Sequence, residues 1–312
     1  MRIIPIAKIA LFAVLVASCS GTTPSTLSEP ITVAASFYPI EEILRQVGGT
    51  HVNIVELTPA GQGAHDVQLT AKQLNVLSSA SAVFYISDGF QPDVEKAVAS
   101  LPAAVVPVDL LQSATLLEVV AQLEGTEGET DGEVLASGKD PHVWLDPANM
   151  IAMTKAVADA LSQLSPDFSA QFNAAAKSYI AELQTLGNEI DAELATCESR
   201  VLVTSHRAFA YLAKRANLRQ VAIAGVNPED EPSAKSLEVI ANFAKTNAVS
   251  TIFFETLLPA DLAKTLADKV GATADLLDPV EGISSADIAA GASYVSIQRD
   301  NLSRVVKGLR CS

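Results

Sequence analysis

At 312 residues, 49% of them hydrophobic and 18% charged, the chain is too apolar to stay disordered and long enough for two lobes. Its formal charge of −15 argues against nucleic acid or an anionic membrane surface as a partner and favours attraction of cations.

The N-terminal MRIIPIAK carries two positive charges, IALFAVLVAS is apolar, and Cys19 follows. That run is roughly half of what a spanning helix needs, so residues 1–18 read as a secretory signal. VAS before Cys19 resembles a bacterial lipoprotein signal, whose cleavage would leave Cys19 as a lipid-bearing N-terminus at the outer face of the membrane. Losing Arg2 and Lys8 takes the charge from −15 to −17. Residues 19–30 form a polar, flexible tether. Cys197 and Cys311 then remain, and in an exported protein they read either as one disulfide or as two buried thiols.

Beyond the tether, β-branched runs alternate with helical patterns. Strands are expected at 31–36, 52–57, 82–87 and 104–109. A helix closed by glycines lies between the first two, and Thr70 with Gln73 forms the T-x-x-Q start of another. Residues 124–140 are glycine-rich and acidic and read as an exposed loop. Asp146-Pro147 and Ser165-Pro166 each open a helix, and the second, with apolar residues spaced by three and four, is long enough to act as a spine. Four more strands follow at 200–205, 220–225, 249–255 and 272–278, and a helix closes the chain. The expected fold is α/β, with two mainly parallel, helix-flanked sheets joined by one long rigid helix. The lobes span 31–165 and 197–312, with the linking helix at 166–196.

Ligands of open α/β sheets bind beyond the carboxyl ends of the strands. His206, Glu255 and Asp278 all stand at such ends. His65 follows the second strand, and His142 sits in the proline-bounded loop of KDPHVWLDP. These five donors can face one cleft. Each has an ordinary alternative: a hydrogen-bonded structural histidine, a strand-ending aspartate, or a glutamate paired with a base. Asp146 is explained as a helix cap, and His51 as a surface residue.

The same residues carry a likeness. GAHDVQLTAKQL, DPHVWLDP, VTSHRAFAYLAKRANL, NPEDEPSAKSL, IFFE and LLDPVEG, in this order, resemble the zinc and manganese substrate-binding lipoproteins of bacterial ABC transporters (cluster A-I, family 9). The resemblance implies one metal in the cleft between lobes, held by His65, His142, His206 and Asp278, with Pro141 and Trp144 stiffening the His142 loop. Three imidazoles and a carboxylate suit Zn²⁺ over Mn²⁺, which is the alternative cargo. Many zinc members carry a histidine-rich loop where this chain has its acidic one.

The resemblance also implies a monomeric, non-enzymatic carrier that hands its ion to an ABC permease. Two rivals belong to other classes. One is a zinc hydrolase with Glu255 as general base, against which stand a fourth protein ligand and the lack of an H-E-x-x-H pair. The other is an adhesin whose metal is structural.

Overall fold

Short β-branched strands set the frame, and the order in which they pair is the same in both halves of the molecule. The computed structural model describes residues 29–65, 67–119, 123–124, 136–226, 232–256 and 260–312. The signal, Cys19, the tether up to residue 28 and most of the acidic loop lie outside these residues. Among the described residues no helix is long and apolar enough to cross a membrane.

The first lobe runs β1 (Ile31–Ala35), α1 (Tyr38–Gly48), β2 (Val52–Glu56), α2 (Ala71–Ser79), β3 (Ala82–Tyr85), α3 (Pro92–Val98) and β4 (Val106–Asp109). Then come α4 (Pro147–Leu164) and α5 (Ser169–Glu193). The second lobe follows as β5 (Val201–Thr204), α6 (Ala210–Arg215), β6 (Arg219–Ala222), α7 (Ala234–Thr246), β7 (Thr251–Phe254), α8 (Asp261–Val270) and β8 (Thr273–Leu276). It closes with α9 (Ser285–Ala289) and α10 (Tyr294–Gly308). The sheets are ordered β2-β1-β3-β4 and β6-β5-β7-β8, and every pairing is parallel.

Parallel sheets need cover on both faces, and strand alternation supplies it. Val33, Ala35 and Phe84 point into the central core, while Ala34 and Val83 point to an outer cluster with Leu57, Leu77 and Val94. In the second lobe Leu202 and Phe253 point inward and Val203 and Ile252 outward. The two inward faces share one continuous core with α5, whose Phe172, Tyr179, Leu183, Leu186 and Ile190 are buried along a single stripe. At 25 residues this helix is about 37 Å long. It packs against α1 and α4 of the first lobe and α10 of the second, so the lobes are tied through packed apolar surface.

Local signals set the boundaries. Thr70 and Gln73 form a complete capping box at α2, and Asp146 accepts the Ala148 N–H with Pro147 in the first position of α4. Ser165-Pro166 behaves differently. It opens a 3₁₀ turn, Pro166–Phe168, without a side-chain cap, and α5 starts at Ser169. Cys197 and Cys311 are disulfide-bonded, which pins the chain beyond α5 to the extreme C-terminus.

Candidate metal centre

Three loops of the second lobe and two of the first meet at the cleft. His206 follows β5, Glu255 follows β7, and Glu281 lies in the turn after β8. His65 lies between β2 and α2, and His142 precedes the turn Val143–Leu145. His65, His142, His206 and Glu281 converge, their donor atoms lying within 4.8 Å of one another, and all four side chains are buried.

His142 Nε2 is 3.3 Å from His206 Nε2. Glu281 Oε1 lies 3.3 Å from His65 Nε2, 3.5 Å from His206 Nε2 and 3.7 Å from His142 Nε2. An ion about 2.0–2.1 Å from four tetrahedral donors sets them about 3.3–3.4 Å apart, the edge of the tetrahedron. His142–His206 and His65–Glu281 have that spacing, His206–Glu281 and His142–Glu281 are slightly wider, and the four donors as a set lie within 4.8 Å.

Two of the imidazoles are held by carboxylates from behind. His206 Nδ1 is 2.6 Å from Glu255 Oε2, and its backbone N–H donates to Glu255 Oε1 at 3.0 Å. His142 repeats the arrangement with Asp140, whose Oδ1 is 2.9 Å from both Nδ1 and the backbone N–H. In each ring the carboxylate accepts the Nδ1–H and so turns Nε2 toward the cleft. His65 packs edge-on against Phe90 at 5.0 Å.

The electrostatics follow from burial and these pairs. Burial pulls the His142 imidazole below its ordinary value, with Asp140 opposing. For His206 burial pulls the same way, but Glu255 and Glu281 outweigh it and push the group up to about 10. Burial works against the charge of Glu281, yet His65 and His206 hold its carboxyl well below the usual range.

Asp278, expected from the sequence as the fourth ligand, is not among the converging donors. Its Oδ1 accepts the Val280 N–H at 2.7 Å, while its own N–H and C=O are clamped by Asn301 at 2.9 and 2.7 Å. Val280 takes a left-handed φ of 57°, so the chain reverses and Glu281, three residues on, enters the cleft instead. Burial pushes the Asp278 carboxyl up to about 6. Glu281 and Asp140 are the carboxylates that the structure adds to the candidates named from the sequence. The D-x-H spacing was a signal for the second, and the adjoining carboxylate of LLDPVEG for the first. His51 stands apart from the cluster, stacked on Phe168 at 3.9 Å.

Hydrogen bonds to backbone carbonyls join the ligand loops across the cleft. Trp144, fully buried, donates Nε1–H to Pro279 O at 2.8 Å, and Gly61 N–H donates to Ile283 O at 3.1 Å.

Two parallel-sheet lobes joined through a long helix, with imidazoles and a carboxylate gathered between them, define a two-lobed α/β fold with a donor cluster in its cleft. The chain belongs to the family described as "ZnuA: Zinc-uptake complex component A periplasmic", which it matches over residues 33–308. It is 30% identical to the zinc-binding lipoprotein AdcA of Streptococcus pneumoniae over 302 residues, covering 97% of this chain and 60% of that one. The chain therefore spans well under two thirds of AdcA. It is 29% identical to the high-affinity zinc uptake system protein ZnuA of Bacillus subtilis, covering 94% of this chain and 93% of that one. Among solved structures it resembles the Zn(II)-bound ZnuA-like domain of S. pneumoniae AdcA. That match has a TM-score of 0.76 and 30% identity, covering 90% of this chain and 99% of the domain. It also resembles the laminin-binding protein of Streptococcus agalactiae, described as having adhesin and metal-transporting activity. Here the TM-score is 0.78 and the identity 26%, covering 89% and 99% of the two chains.

Proposed function

We propose that the chain captures Zn²⁺ outside the cytoplasm and delivers it to an ABC-transporter permease, without catalysing a reaction. The observation that carries this reading is the convergence of three imidazoles and one carboxylate within 4.8 Å in a buried cleft, with Glu281 Oε1 3.3–3.7 Å from all three Nε2 atoms. His65, His142, His206 and Glu281 are the proposed ligands, with Glu281 in the role first given to Asp278. Nitrogen-rich, four-coordinate sites favour Zn²⁺ over Mn²⁺, which prefers more oxygen donors. Four protein donors also close the coordination sphere, which leaves a metal-bound water no position and argues against a hydrolase.

Cys19 is the proposed lipid anchor, holding a monomeric carrier at the outer face of the membrane. Since the lobes share one core through α5, lobe closure is restricted. Release to the permease then works by displacing a ligand loop. The test is a competitive Zn²⁺/Mn²⁺ titration of the stripped protein with elemental analysis. One zinc per chain retained against excess manganese is expected; retention of manganese, or of neither ion, overturns the reading.

A further inference from the structure

The two imidazoles nearest each other come from different lobes, and one short helix touches both of their loops. His206 precedes α6 by four residues. Tyr211 and Arg215, also four apart, share one face of that helix. Tyr211, 3% exposed, donates its hydroxyl to Asp140 O at 2.8 Å and accepts the Leu117 N–H at 3.1 Å. Asp140 N–H also donates to Leu117 O at 2.9 Å, so the hydroxyl is inserted into a backbone pair at the residue that orients His142. The Asp140 carboxylate itself is held through Oδ1 alone, its buried Oδ2 having no hydrogen-bond partner among the described residues, so the backbone bonds fix the residue's place.

Arg215 holds the other end of the same loop. Its guanidinium donates to Asp146 Oδ1 at 3.0 Å, where Asp146 ends the Val143–Leu145 turn and caps α4. It also donates to Asp191 Oδ2 at 2.7 Å and Gly187 O at 3.1 Å on α5. Gly187 leaves room for it, since a Cβ there would lie 2.9 Å from the guanidinium nitrogen.

We infer that Tyr211 and Arg215 are positioning residues that grip the His142 loop at both ends and set the His142–His206 pair at ligand spacing before an ion arrives. Neither touches the ion. Their effect is on how long it stays, because a loosened His142 arm must be reordered at each rebinding and leaves more readily. The inference rests on the zinc-capture reading above. It makes α6, which starts just beyond one ligand, the element through which a docked permease would release the other.

The experiment follows zinc loss to excess chelator from the purified full chain and from Tyr211→Phe, Arg215→Met and the double variant. One ion per chain is retained in each. Loss is faster by about tenfold or more in each single variant, as for other supports of ligand histidines, and Arg215→Lys recovers part of the change. The His142 Nδ1–H resonance, held by Asp140 in the parent, broadens in Tyr211→Phe, which a general loss of stability would not produce selectively. If Tyr211→Phe folds poorly, Arg215→Met decides, since its side chain is partly exposed. Folded variants that lose zinc at the parental rate overturn the inference while leaving zinc capture intact. A parent that binds no zinc overturns the capture reading itself.

Discussion

His142 and His206, 64 residues apart and in different lobes, place their Nε2 atoms 3.3 Å from each other. Two buried imidazoles gain little from such contact. The spacing suits two of the proposed zinc ligands, with His65 and Glu281 as the other two.

The choice of carboxylate is open to direct test. Glu281→Ala should weaken zinc binding by at least tenfold, by analogy with the 10–100-fold cost of losing even indirect support at metal sites. Asp278→Asn keeps an oxygen to accept the Val280 N–H and should cost much less. Competition against a fluorescent zinc chelator ranks the two; the opposite order would restore Asp278 as the ligand.

Glu255 supports His206 through two bonds, at 2.6 and 3.0 Å. Glu255→Gln should therefore lower zinc affinity about 10–100-fold with stoichiometry unchanged. The same titration checks it, and an unaltered affinity would make the pair incidental.

The pH dependence follows from His206. Its folded value, about 10, lies above the ordinary 6.5, because Glu255 and Glu281 outweigh the effect of burial. In the ion-free protein this group therefore contributes stability that is fully present below about pH 6.5 and is lost as pH rises through about 10. His142, lowered by burial, is neutral at pH 7. Zinc needs the free Nε2 of His206, so binding at neutral pH should release about one proton from that residue. Calorimetry in buffers of different ionisation enthalpy measures it, and affinity should climb with pH. No proton release at pH 7.5 would contradict the charge state derived for His206.

The disulfide closes a loop of sequence separation 114 around the whole second lobe. Replacing Cys197 and Cys311 by serine should cost about 2–5 kcal/mol, read from denaturant unfolding. Zinc stoichiometry should survive, since neither sulfur is among the converging donors.

Much of this architecture was legible because its signals are local. Eight β-branched runs, the Thr70–Gln73 box and the Asp146-Pro147 cap each act within a few residues, and each forms where the pattern placed it. His206 was legible because it stands just past a strand's carboxyl end, and His65 and His142 because they fall in loops that the alternating pattern carries to the same edge. α3 and α9 were missed, being seven and five residues long, too short for a helical period to register. The carboxylate of the cluster is less legible. Which of two carboxylates three residues apart faces the cleft depends on the left-handed turn at Val280, and a non-glycine residue there gives no warning. Asp140 read as part of a stiff loop, and its hold on His142 depends on a fold-back only three dimensions display. The acidic stretch at 124–140 falls mostly outside the described residues.

X-ray absorption at the zinc edge of the loaded protein tests the central claim most directly. The account predicts four ligands, three imidazole nitrogens and one carboxylate oxygen, at about 2.0–2.1 Å. A shell with fewer than three imidazoles, or a six-coordinate oxygen environment, would contradict it.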